Sequence, residues 1–305
     1  MKTLAKVTVS VPATTSNLGP GFDCLGLALD LRNELTLELM DGKGPAVVEI
    51  EGEGEKELPR GETNYMVKAA RRILPKSLPG RLVFRSKNRI PLARGLGSSA
   101  AAVVAGLWAG AHLFGTLRRS EDELEDLAVA MEGHPDNVAP CVHGGLTASV
   151  HHNGVLRVQG LEIHPSFSGA VCVPALELPT RRARKVLPKR VTLTDAVFNL
   201  QRAVLLPRAL ATARTTYLPE LMEDRLHQPY RAPLVPGLYD AIAAAYRAGA
   251  AGAALSGSGS AVFAFVEGGA GPRVGEAMRR AFRKHRVSAR AFPVAVDHHG
   301  VRIER

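Results

Sequence analysis

The sequence predicts an α+β protein of two domains. Strand-like alternation and helix-like periodicity are mixed in both halves, without the regular strand–helix succession of a doubly wound sheet. The 305 residues are more than one hydrophobic core usually organises. A stretch without period, Gly160–Ser168, separates the halves, so residues 1–160 and 161–305 are the expected domains.

Val7, Val9 and Val11 alternate with polar or small residues and open the chain as a strand. Pro12–Asp23 (PATTSNLGPGFD) breaks that period and predicts a long loop, of the kind that often carries function. Cys24–Leu29 reads as a second strand. In Glu34–Leu39 three leucines face one way and Glu34, Thr36 and Glu38 the other, a further strand. Ala46–Glu51 adds another, and GEGEKELPRGE is a charged surface connection. Asn64–Leu74 has helical spacing, with Met66, Ala70, Ile73 and Leu74 on one face, and Arg81–Ser86 is a strand.

Pro91–Phe114 begins as a Gly/Ser loop and runs into a helix of small apolar residues, with Ser98 and Ser99 as natural N-caps. Ser120–Glu123 forms a capping-box pattern before Leu124, Leu127, Ala128 and Met131 at helical spacing. That helix ends in the polar run Glu132–Asn137. Leu146–His152 and Val155–Gln159 form a hairpin across Asn153-Gly154. In the second half Gly169–Pro174 is a strand and Leu178–Pro188 a basic loop or short helix. Thr194–Ala213 is a helix that Pro207 should kink or break. A helix over Pro236–Ala248, strands Ala253–Leu255 and Ala261–Val266 around the loop Ser256–Gly259, a helix over Pro272–Arg283 and a strand over Ser288–Val296 complete the chain.

Composition narrows the function. The net charge of +10 is scattered, and aromatic residues make up only 5%, poor material for stacking on bases. A basic surface equally suits a small polyanion such as a nucleotide. Cys24, Cys141 and Cys172 are far apart and odd in number, which excludes a disulfide framework and a zinc spacing and points to a reducing compartment. The start lacks a signal-peptide pattern, and the apolar run Ala100–Phe114 falls short of the roughly 20 residues of a membrane span, so a cytoplasmic protein is expected.

No P-loop, no dinucleotide fingerprint and no nucleophile elbow occurs. What remains is three polar loops rich in small residues: Pro12–Asp23, Pro91–Ser99 with Glu132–Asn137, and Ser256–Gly259. The Gly/Ser loop aims free N–H groups and a helix dipole at one spot, which suits a phosphate. Alone, it reads equally as a structural turn before a buried helix. Three such loops together point to one cleft, with backbone donors for an anion and carboxylates for a metal.

PLARGLGSSAA resembles the phosphate loop of the GHMP kinases. PATTSNLGPGFDCLGLAL, GHPDNVAPCVHGG, HQPYRAPLVPG and ALSGSGSAVFAF resemble, in the same order, motifs of the branch of that family that phosphorylates homoserine. The resemblance spans nearly the whole chain. It implies a first half like domain 2 of ribosomal protein S5, with a left-handed β-α-β crossover against the usual rule, and a ferredoxin-like α/β sandwich after it. It implies transfer of phosphate from ATP to L-homoserine, giving O-phospho-L-homoserine for threonine biosynthesis, with Mg²⁺ and as a homodimer.

By the same resemblance, Pro91, Leu92, Ala93, Arg94, Gly95, Leu96, Gly97, Ser98, Ser99, Ala100 and Ala101 wrap the ATP phosphates, and Asn64 lies near the adenine. Ser98 and Glu132 are the metal ligands, oxygen donors of the kind Mg²⁺ prefers. Asn17, Asp23 and Asn137 hold the substrate. Arg184 and Arg231 meet its carboxylate and the developing phosphoryl charge, since guanidinium forks match planar oxyanions. Thr180, Arg184 and Asn137 are the catalytic set. His134 is read as fixing the loop around Asp136 and Asn137, not as a base, and no dedicated protein base is expected. Three other readings remain: a mevalonate- or shikimate-type kinase of the same family, a non-catalytic sensor, and an RNA-binding protein.

Overall fold

The computed structural model describes residues 2–114 and 119–304. The chain runs β1 (Thr3–Ser16), β2 (Leu25–Met40), β3 (Val47–Gly52), α1 (Tyr65–Ile73), β4 (Arg81–Asn88), α2 (Ser98–His112), α3 (Glu121–Glu132), α4 (Val138–His143), β5 (Leu146–His152) and β6 (Val155–Leu161). It continues through β7 (Ser168–Pro174), α5 (Thr180–Lys185), α6 (Leu193–Ala211), α7 (Leu218–Leu221), α8 (Gln228–Arg231), α9 (Leu238–Arg247), β8 (Gly252–Leu255), β9 (Val262–Val266), α10 (Gly271–Lys284), β10 (Ala289–Val294) and β11 (Arg302–Glu304).

Two sheets result. The first has the order β11-β1-β2-β4-β3, with β5 also on β2 and β6 on β5. Its pairs are antiparallel except β3 with β4, which run parallel around α1. The second sheet, β10-β7-β9-β8, is antiparallel throughout. Helix α2 is buried along almost its whole length, from Ala100 to Ala111, because its side chains are small and apolar on every side. It joins the leucines of β2 in the first core. A second core lies under α9 and α10, where Val274, Met278 and Phe282 pack on the second sheet.

Several local readings are corrected. The predicted loop from Pro12 is strand as far as Ser16: Ala13–Ser16 pair with Gly26–Leu29 after a register shift at Pro12. Proline lacks a donor and fits at such an irregularity, and the following threonines suit a strand. The two strands expected over residues 24–39 are one, β2, which pairs with β5 near its start and β4 near its end. The N-cap of α2 is Gly97 in the left-handed region, without a side-chain cap, so neither Ser98 nor Ser99 caps it. Helix α6 runs through Pro207. Leu206, Ala209 and Leu210 are buried around the proline, and their packing outweighs the missing hydrogen bond. The short helices α7 and α8, and strand β11, carry too little periodicity to be read from sequence.

Candidate active site

The end of β1, the Gly/Ser loop before α2 and the turn between β8 and β9 converge. Thr14 N donates to Leu96 O (3.2 Å), Gly257 N to Ser16 O (3.1 Å) and Ala261 N to Arg94 O (3.0 Å). Ser256 Oγ donates to Gly95 O (2.6 Å), and Asn17 Nδ2 to Gly257 O (3.0 Å). The three loops that the sequence singles out thus form one wall.

That wall is held in sparsely populated backbone. Asn17, Leu18, Asp23 and Ala93 have φ values of 70°, 47°, 56° and 51°. Such residues cluster where surrounding structure over-determines a functional geometry. At Gly97, φ is 70°, and a Cβ would stand 1.9 Å from Thr14 Oγ1. At Gly95 it would stand 2.1 Å from Ser256 O. The loop therefore packs directly against its neighbours, and the first turn of α2 has no side-chain cap, which leaves N–H groups able to meet an anion.

Two connected hollows lie beside it. The larger, about 1200 Å³, is large enough for a nucleotide and is lined by Asn64, Tyr65, Lys68, Pro91, Leu92, Ala101 and Arg290. The smaller, about 90 Å³, is lined by Asn17, Asp23, Gly95, Leu96, Gly97, Ala100, Asn137, Arg184 and Arg231. Ala93, Arg94, Ser98, Ser99, Glu132 and Thr180 border both. The structure thus gathers all the residues singled out in the sequence around one continuous cleft.

Their contacts differ from residue to residue. Asn64 caps α1: its Oδ1 accepts from Met66 N (2.9 Å), while its Nδ2 donates to Pro59 O (2.8 Å). It thereby fixes the charged connection after β3, whose Glu53, Glu57 and Leu58 also line the larger hollow. Arg94 is tied down by bonds to Leu92 O (3.0 Å) and Pro174 O (3.1 Å). Glu132 accepts from Ser99 Oγ at 2.6 Å, and burial pushes its carboxyl above the ordinary range. An oxygen-only pair, Ser98 and Glu132, with a carboxylate that burial leaves under-compensated, fits a divalent cation that takes its other ligands from phosphate and water.

His134 Nδ1 lies 2.7 Å from Asp136 Oδ1. Burial opposes its charge, but the bond to Asp136 prevails and raises its pKa. Asn137 is held at both ends of its amide: Oδ1 accepts from Thr14 Oγ1 (2.8 Å) and Nδ2 donates to Ser16 Oγ (3.0 Å). Arg184 forks onto Asp23 with bonds of 2.7 and 3.0 Å. Thr180 Oγ1 is 3.4 Å from Ser258 Oγ. Arg231 is 2% exposed, yet its bonds go to uncharged groups, Gly257 O (3.0 Å), Ala183 O (3.4 Å) and His227 Nδ1 (3.2 Å). Burial, then the nearby Arg184, lower its pKa to about 10.

Sequence reasoning missed Thr14, Ser16, Phe22, His227 and Ser256. Thr14, Ser16 and Phe22 lie in the Pro12–Asp23 stretch and Ser256 in the Ser256–Gly259 loop that the sequence marks without naming them, and His227 precedes Arg231 by four positions in HQPYR.

The family model for the GHMP kinases N terminal domain matches residues 64–145, and that for the GHMP kinases C terminal matches 208–284. The chain belongs to the GHMP kinases. The first match takes in the Gly/Ser loop, α2 and the Glu132–Asn137 run, and the second the β8–β9 turn. A homoserine kinase of Moorella thermoacetica is 46% identical over 295 residues, 96% of this chain and 98% of its own. One of Synechococcus sp. is 42% identical over 290 residues, 94% and 92% of the two chains. The solved homoserine kinase of Cytophaga hutchinsonii superposes with a TM-score of 0.88 at 31% identity, over 98% of this chain and 97% of that one. An L. major mevalonate kinase shares the fold at a TM-score of 0.70 and 16% identity, over 97% and 96%. As a GHMP kinase the protein is a phosphotransferase with ATP as co-substrate.

Proposed function

We propose that this GHMP kinase transfers the γ-phosphoryl group of ATP to the hydroxyl of L-homoserine, giving O-phospho-L-homoserine for threonine biosynthesis. The carrying observation is the smaller hollow beyond the phosphate loop, where the Asp23 carboxylate and the buried Arg231 guanidinium stand together. That pairing suits an amino acid's ammonium and carboxylate, and a mevalonate- or shikimate-type substrate has no ammonium to offer Asp23. The homoserine kinase relatives support the same choice.

ATP lies in the larger hollow with its phosphates on Gly95–Ser99 and the start of α2, beside Asn64. Ser98 and Glu132 hold Mg²⁺, which supplies charge neutralisation on the phosphates when bound. Asn17, Asp23 and Asn137 orient the substrate, and Arg231 takes its carboxylate. Asn137 cannot accept a proton at neutral pH, and the raised His134 is tied to Asp136. Phosphoryl transfer asks mainly for alignment and charge stabilisation, which Thr180, Arg184 and the fixed Asn137 amide provide without a dedicated base.

Exposed apolar side chains on α6 (Leu193, Val197, Leu200 and Val204) follow the 4-3-4 spacing of a helix-pairing seam, which supports a homodimer. ATP supply and the free thiols fit the cytoplasm. Coupled ADP release tests the activity: it should require both L-homoserine and Mg²⁺ and be far weaker with mevalonate or shikimate. ADP release indifferent to homoserine would reject this function. Sedimentation of the same sample should show twice the 32.5 kDa chain mass.

A further inference from the structure

A buried arginine normally has an acidic partner, because an unpaired charge is costly inside a protein. Arg231 is buried, yet its hydrogen bonds go to neutral acceptors, and Asp23 acts on it without a bond. One of these acceptors, His227, is fully buried and forms bonds at both ring nitrogens. A guanidinium can only donate, so the Nδ1 facing Arg231 at 3.2 Å carries a lone pair. The proton is then on Nε2, which donates to Gly19 O at 2.8 Å. The ring is therefore neutral and in one tautomer.

Its surroundings keep it so. Asp224 is the nearest carboxylate, but its Oδ2 stands 3.6 Å from Nε2, outside hydrogen-bond range. Asp224 is already occupied by four donors: His227 N, Gln228 N, Leu226 N and Asn199 Nδ2. Burial, the largest effect, and the Arg231 charge press the imidazole toward its neutral form against the opposing pull of Asp224. Phe22, from the loop that carries Asp23, stacks on the His227 ring at 5.3 Å, with Arg231 over its own ring at 5.4 Å.

We infer that His227 is a neutral latch, a positioning residue that aims Arg231 at the substrate's carboxylate and ties it to the Gly19 loop without engaging its guanidinium in a hydrogen-bonded ion pair. A carboxylate at this place would hold Arg231 equally well but would spend its charge inside the protein. The inference deepens the amino-acid reading of the smaller hollow and rests on it.

The test compares His227→Asn with His227→Asp. Both lose the Nε2 donor to Gly19, both keep an oxygen where Nδ1 accepts from Arg231, and they differ in charge. KM and kcat are measured at saturating ATP with L-homoserine and with aminopropanol, which is homoserine without its carboxylate. The aspartate variant should show a homoserine KM about ten- to hundredfold above that of the asparagine variant, with similar kcat. The two should share one KM for aminopropanol. Equal homoserine KM values, or an equal loss on both substrates, would overturn the latch. Should His227→Asp not fold, His227→Gln replaces it: without an acceptor at the Nδ1 position it should raise the homoserine KM over His227→Asn, and parity would overturn the latch as well. Failure of the underlying function would appear separately, as wild-type protein that releases no ADP with homoserine.

Discussion

Glu132 sets chemistry against stability within one side chain. Burial raises its pKa, and the hydroxyl of Ser99 only partly offsets this. A folded-state pKa above the unfolded one means that the folded chain holds the proton more firmly. Stability therefore falls as pH rises from the unfolded value through the folded one. Glu132→Gln should raise the melting temperature at neutral pH by about 1–3 °C, a gain that vanishes in acid, where wild-type Glu132 is itself protonated. If Glu132 holds Mg²⁺ as proposed, the same change should lower turnover by on the order of 10²–10³, since it removes that charge. Thermal melts at two pH values beside the ADP assay check both halves. At this scale residue types were legible. Small residues, amides and carboxylates in loops marked the site, but partners were not: Asp23 and Arg184, both assigned to substrate, fork onto one another.

The Gly/Ser loop and α2 act as one element. Gly97 is its pivot, because its left-handed φ turns the chain into the helix and its bare Cα lets Thr14 Oγ1 reach Asn137 Oδ1. Gly97→Ala should cost about 1–3 kcal/mol of stability from backbone strain alone. It should also raise the ATP KM at least about tenfold, since the displaced Thr14 and Asn137 belong to the same wall. Urea unfolding and the ATP dependence of ADP release measure these, and an unchanged ATP KM would remove Gly97 from the phosphate site. The helix itself was readable from its alanines, and the Ser120 capping box was readable and is formed. The cap of α2 was not, because a left-handed glycine takes the cap position and the second serine after it has a better use: Ser99 turns to Glu132. The limits of β1 and β2 were likewise hidden, since Ala13–Ser16 become strand only through pairing with Gly26–Leu29.

Across the whole molecule, the chain end returns to the first sheet. β11 pairs with β1, and the turn before it is latched by the ion pair of the buried Asp297 with the half-buried Arg32. Arg32 also donates to Ser10 O and Gly300 O, while Asp297 Oδ1 accepts from His299 N and Gly300 N. Asp297→Ala leaves Arg32 without its counter-charge and should cost about 3–5 kcal/mol. Denaturant titration should show one cooperative loss, and a cost below about 1 kcal/mol would mean that the pair is solvated.

The sequence by itself determined the class of fold and marked the loops that meet in one cleft, because glycine, proline and small polar residues state a backbone's needs locally. Tertiary structure alone decided which charges are spent and which stay free. Asp23 meets Arg184 across 161 positions, and Gly19 meets His227 across 208. Such partners become fixed only when the chain folds, and Arg231 is left with its hydrogen bonds on neutral groups while Asp23 is forked by Arg184.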